Sequence, residues 1–69
     1  MKISARNVLQ GKVISIVTGL VSKELTLEIA PGVRVTSSIT STSAQSLGLK
    51  EGDNAYAVLK ASSVMVAVD

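Results

Sequence analysis

The sequence predicts a mainly β chain, a five-stranded Greek-key barrel with one short helix, that associates with copies of itself. Three features of its 69 residues carry that expectation. Runs rich in Val, Ile and Leu alternate with polar residues at the two-residue period of a half-buried strand. Clusters of Gly, Pro, Asn and Ser separate those runs at short intervals, as turns do. The hydrophobic fraction is 46%, yet Phe and Trp are absent and Tyr56 is the one aromatic residue. A core of small aliphatic side chains in so short a chain gains modest free energy from burial. With no cysteine for a disulfide and no histidine for a structural metal, oligomerisation is the remaining support.

The elements follow in order. Gly11 to Val17 is β-branched and partly alternating, and Thr18-Gly19 interrupts it with a bulge or turn. From Leu20 to Ile29 the pattern resumes, with Leu25, Leu27 and Ile29 on one face and Thr26 and Glu28 on the other. Ala30-Pro31-Gly32 is a tight turn, because Pro cannot donate to a ladder and Gly suits a turn. A β-rich run, Val33 to Thr40, completes that hairpin. Thr42 to Gly48 reads as a short helix with a Ser or Thr cap and Gly48 in position to close it. After the polar turn Leu49 to Asn54, strand returns over Ala55 to Lys60. A closing strand, Val64 to Val68, follows the break Ala61-Ser62-Ser63, and Lys2 to Leu9 forms a further strand or an arm. Several strands around one short helix suit a barrel of the OB type in a single domain, residues 1–69.

Function is narrowed first by exclusion. A net charge of +2 is mild and dispersed, and no basic run interleaved with aromatics offers a stacking platform for single strands. An OB-type nucleic-acid-binding module is therefore the alternative function and not the leading one. No apolar stretch is long enough to span a bilayer, and Met1 to Arg6 lacks the apolar core of a signal peptide, so a cytoplasmic protein without membrane contact is expected. Without His or Cys, acid–base and nucleophilic catalysis lack their usual groups. The carboxylates Glu24, Glu28, Glu51, Asp53 and Asp69 show no paired spacing. The chain is expected to be a binding protein, not an enzyme, and to hold no metal as such and no cofactor.

Three segments are rich in hydrogen-bond donors and free of carboxylates: Ser4-Ala5-Arg6-Asn7, Thr40-Ser41-Thr42-Ser43 and Lys60-Ala61-Ser62-Ser63. Taken singly, each also fits a loop or a helix cap. Together with their setting they carry a resemblance. Met-Lys-Ile-Ser-Ala-Arg-Asn at the start, Gly11 at the first long strand, Ile39-Thr40-x-x-Ser43, Leu47-Gly48-Leu49-x-x-Gly52 and Val58-x-Lys60-Ala61-Ser62-x-Val64-Met65 are similar to the molbindins. These are small Mop proteins built from a single TOBE-type domain. The resemblance implies an OB-like barrel assembled as a hexamer, a trimer of dimers, that holds molybdate or tungstate at subunit interfaces in the cytoplasm. It implies an anion site of Ser4, Ala5, Arg6, Lys60, Ala61 and Ser62, joined by Thr40 and Ser43, with the segments split between two subunits. A second kind of anion site would lie around Val21 and Ser22.

The residue types suit that ligand. An unprotonated tetrahedral dianion offers only acceptors, so hydroxyls, backbone N–H groups, guanidinium and ammonium match it. Arg6 and Lys60 would balance its two charges. Hydrogen phosphate carries a proton that asks for an acceptor, and a site without carboxylates disfavours it. Sulfate differs from molybdate in size alone, and molybdate and tungstate are nearly equal in size. Lys23 and Arg34 are read as surface charges and Met65 as packing.

Overall fold

In the computed structural model, which describes residues 1–69, strand β1 is the longest element, from Asn7 to Thr18. It is followed by β2 (Ser22–Ala30), β3 (Val33–Thr40), the helix α1 (Ser41–Leu47) and β4 (Asn54–Leu59). The strands make one antiparallel sheet in the order β3-β2-β1-β4. Three hairpin-connected strands, with a fourth that returns through a long connection to lie beside the first, form a Greek key. The expected β class, Greek-key strand order and single short α-helix are present, in a curled sheet whose outer strands β3 and β4 do not pair with each other to close the barrel.

The first half of β1, Asn7 to Lys12, pairs with β4, and the second, Lys12 to Thr18, pairs with β2. The register shifts between Val13 and Ser15, and such a bulge bends a strand and increases its twist. Val13 is fully buried at this bend, and its backbone exchanges hydrogen bonds with the loop before β4: its N–H donates to Asp53 O at 2.9 Å and its carbonyl accepts from Gly52 N at 2.7 Å. Gly11 stands just before the changeover because β1 and β2 approach too closely for a side chain. A Cβ there would lie 2.8 Å from Ile29 Cδ1 and 2.9 Å from the Glu28 carbonyl oxygen. The isoleucine can move, but the carbonyl is held in the sheet. Gly11→Ala is therefore expected to cost about 1–3 kcal/mol, measured as a lower urea midpoint at fixed protein concentration. An unchanged midpoint would show that the two strands part without cost.

The core is small. Val13, Leu25, Leu27 and Ala57 are buried together, with Ile16, Ile29, Val35, Ile39, Leu49, Ala55 and Leu59 packed around them. Leu25 and Leu27 follow the expected alternation of β2. Helix α1 starts one residue before the expected segment and buries Ala44. Its cap is Thr40, whose Oγ1 accepts the Ser43 N–H at 3.0 Å. Gly48 closes it in the left-handed region at φ 63°, where a residue without Cβ is favoured. Gly48 N then donates to Gln45 O at 3.1 Å and Leu49 N to Ala44 O at 3.4 Å, the paired bonds of a Schellman closure.

Two expectations at the chain ends are corrected. There are four strands, not five: Val64 to Val68 pairs with nothing, and Met65, Val66 and Val68 are 93%, 90% and 92% exposed. The reason is local. A 3-10 turn at Ala61–Ser63, held by Ser63 N to Lys60 O at 2.9 Å, takes the chain off β4 before the run begins. At the other end β1 begins at Asn7, four residues before the expected start, so Lys2 to Arg6 is an arm and the residues after it are strand.

The isolated chain also exposes 5529 Å². A compact monomer of 7.1 kDa would expose about 4,100 Å². No helix is long and apolar enough to cross a membrane.

Candidate functional site

Six register pairs join β1 to β4, from Lys12 opposite Asn54 to Asn7 opposite Leu59. Arg6 and Lys60 are the residues just beyond the last pair on β1 and β4, so Ser4-Ala5-Arg6 and Lys60-Ala61-Ser62 both leave the sheet at the same end. Ser4, Arg6, Lys60, Ala61 and Ser62 are exposed and Ala5 is partly covered. Their donors are free within the chain. No hydrogen bond engages the side chains of Ser4, Arg6, Lys60 or Ser62, and the N–H groups of Ala5, Ala61 and Ser62 have no acceptor.

Counter-charges are held elsewhere. The one ion pair, Arg34 Nε to Glu28 Oε2 at 3.7 Å, belongs to the β2–β3 hairpin, and Glu28 also stands opposite Lys12. Glu24 lies opposite Val17, near the far end of β1. Asp53 Oδ2 accepts the Lys50 N–H at 3.0 Å, and Glu51 and Asp53 flank Gly52, which bonds to Val13. Four of the five carboxylates thus sit level with Lys12 or beyond it. Two cations in neighbouring cross-strand positions repel each other unless an anion lies between them. Arg6 and Lys60, two hydroxyls and three backbone N–H groups thus lie at one end of one sheet, donors of the kind that an acceptor-only dianion takes.

Thr40 and Ser43 are not brought to this cluster in the single chain. Register places Thr40 opposite Ser22, next to the Lys23–Thr18 pair, so the α1 start sits at the end of β1 remote from Asn7. The two ends of a twelve-residue strand are separated by about 36 Å of contour. Within α1 the two hydroxyls face one another, with Thr40 Oγ1 donating to Ser43 Oγ at 2.8 Å, so the capping role foreseen for them is realised. The proposed second-site residues Val21 and Ser22 lie beside them. Ser41 N donates to Val21 O at 3.0 Å and Gly19 N to Ser22 O at 2.8 Å, while the Val21 side chain is 79% exposed.

Sequence reasoning missed two residues. Asn7 forms the last ladder pair with Leu59 and thereby sets the spacing of Arg6 and Lys60; its place in the Ser-Ala-Arg-Asn stretch was the available signal. Met1 reaches an apolar cleft of about 350 Å³ whose walls include Leu25, Leu27, Ile39, Leu47 and Tyr56, and nothing in a lone initial methionine announces that. The cleft is the largest cavity, but its lining is unsuited to an anion.

Comparison with known proteins agrees with this architecture. The TOBE domain model matches residues 3–66. Molybdenum-pterin-binding protein 3 of Clostridium pasteurianum is 52% identical over 66 residues, covering 96% of this chain and 97% of the relative. Among solved structures, MopII from Clostridium pasteurianum superposes with a TM-score of 0.92 at 46% identity, over 97% of this chain and 100% of that one. A molybdate-binding protein from Sporomusa ovata superposes with a TM-score of 0.90 at 35% identity, over 99% of this chain and 100% of that one. A domain match from the N-terminal arm to beyond the 3-10 turn, with near end-to-end relatives of the same fold, places the chain in the TOBE-domain family, among the molbindins.

Proposed function

We propose that the protein binds molybdate, or the nearly isosteric tungstate, at sites completed between copies of the chain, and that it stores and buffers the anion in the cytoplasm without reacting with it. One observation carries the proposal: Arg6 and Lys60 follow the last β1–β4 register pair, beside free hydroxyl and N–H donors and without a carboxylate partner. The names of the relatives and structural neighbours support the ligand. Ser4, Ala5, Arg6, Lys60, Ala61 and Ser62 form one half of the site. Thr40 and Ser43 of a neighbouring copy supply the other, since the register keeps these residues apart within one chain. Thr40 Oγ1 donates its hydrogen bond to Ser43 Oγ, and Ser43 keeps its own hydroxyl hydrogen to donate to the anion.

The resemblance to the molbindins implies a hexamer, arranged as a trimer of dimers, as the assembly in which this split is completed. Val21 and Ser22, adjacent to the α1 cap, are the place for a second class of anion near a threefold contact. Charge-assisted hydrogen bonds contribute about 1.5–3 kcal/mol each, so several of them offset the dehydration of a dianion.

Calorimetry and thermal melting with molybdate, sulfate and phosphate test the assignment, and native mass spectrometry reports subunits and anions together. Molybdate is expected to release or absorb heat and raise the melting temperature, with sulfate and phosphate far weaker. An absence of both effects with millimolar molybdate would remove the proposed function.

A further inference from the structure

The β1–β4 ladder stops at Asn7 and Leu59 although the backbone has not yet turned away on the β4 side. Lys60 is still extended, at φ −70° and ψ 125°. On the β1 side the chain bends at Arg6. One more register pair would set two cations directly across from each other, and like charges in cross-strand positions oppose pairing. Neither cation has a carboxylate partner within the chain to relieve that opposition.

Resting on the assignment of Arg6 and Lys60 as anion ligands, we infer that a bound dianion adds this pair to the ladder, so that the arm Met1–Arg6 and the turn Ala61–Ser63 form an anion-operated strap. The strap tightens across the end of the sheet when the anion binds and loosens when it leaves. Within the single chain its parts have the low local stability such a device needs. From Met1 to Ala5 no backbone or side-chain hydrogen bond holds the arm, and Ala61, Ser62 and Ser63 are all exposed. Segments of this kind open first. Even Met1, the one arm residue that lines the cleft beside Leu47 and Tyr56, is 75% exposed, so little packing holds the arm. The anion supplies what the protein lacks at this point, a negative charge between Arg6 and Lys60. Its release then requires the strap to open, which makes local opening a gate on dissociation.

Hydrogen exchange read by mass spectrometry on the full-length protein tests this, with molybdate or with chloride, for wild type, Arg6→Gln and Lys60→Gln. Molybdate is expected to slow exchange of wild-type Met1–Val8 and Leu59–Val64 on the order of tenfold or more. Without molybdate, both variants are expected to exchange these segments roughly 1.5- to 5-fold more slowly than wild type, because one of the two repelling charges is gone. Equal exchange of anion-free wild type and both variants overturns the strap. Molybdate heat in calorimetry without slower exchange also overturns it, while leaving the anion site in place. No molybdate heat at all removes the proposed function and the strap with it.

Discussion

Arg6→Ala and Lys60→Ala are each expected to lower molybdate affinity by roughly 10- to 150-fold, the equivalent of about 1.5–3 kcal/mol for one charge-assisted contact. The effect is large because each side chain supplies one of the two positive charges that stand just beyond the last β1–β4 register pair. With one removed, the dianion is left half-compensated as it leaves water, and an uncompensated charge in a partly dry site is costly. The double variant is expected to fall below detection. Arg34→Ala is the matched control, since Arg34 is engaged with Glu28 at the opposite hairpin, and its affinity should stay within about twofold of wild type. Arg6→Lys separates charge from shape: it keeps the cation but loses the planar fork that can grip two oxygens at once. Isothermal calorimetry on the assembled proteins decides the matter. If either alanine variant takes up molybdate with wild-type affinity, that residue does not touch the anion.

The proposed site would limit selectivity in a defined way. Arg6, Lys60 and the N–H groups of Ala5, Ala61 and Ser62 can only donate, whereas the hydroxyls of Ser4, Ser43 and Ser62 can do either. Five donors of fixed sense against three adaptable ones still favour an unprotonated anion over hydrogen phosphate. Exclusion of sulfate falls to the distance between the two halves of the site, and hence to the contact between copies.

What could be read from the sequence was whatever depends on neighbours along the chain. The α1 cap and closure need only Thr40, Ser43 and Gly48 within one short stretch, and the alternation of Leu25, Leu27 and Ile29 declares the buried face of β2 directly. The Pro31-Gly32 turn is equally local. What could not be read depends on pairing. Val64 to Val68 has strand composition, but a strand exists only where a partner edge lies alongside, and the Ala61–Ser63 turn removes that edge within one chain. The early start of β1 at Asn7 comes from its ladder with β4, not from the composition of Asn7 to Gln10. The site shows the same division. Its donor segments were visible as residue types, but the juxtaposition of Arg6 and Lys60, and the separation of Thr40 from both, follow from register alone.

Replacing Val66 by aspartate, or removing Val64 to Asp69, is expected to dissociate the assembly. The area that the isolated chain exposes beyond that of a compact monomer is roughly 1,400 Å². A standard interface covers about 800 Å² on each partner, so the surplus matches the contribution of one chain to nearly two such contacts. Much of it is aliphatic and clustered at two places, the tail with Val64, Val66 and Val68 and the β1–β2 turn with Leu20 and Val21. The edges of β3 and β4 carry no neighbour, and an extended apolar segment from another copy is what such edges accept. Burial of a valine side chain contributes about 1.5 kcal/mol or more, so loss of three of them weakens association by three orders of magnitude or more. Sedimentation and native mass spectrometry at micromolar concentration should find wild type as an oligomer and both variants as smaller species. If the site draws donors from two copies as proposed, molybdate affinity should fall with the assembly although Arg6 and Lys60 are untouched. A truncated chain that kept both its mass and its anion would mean that the tail is ornamental and that contacts elsewhere bring the two halves of the site together.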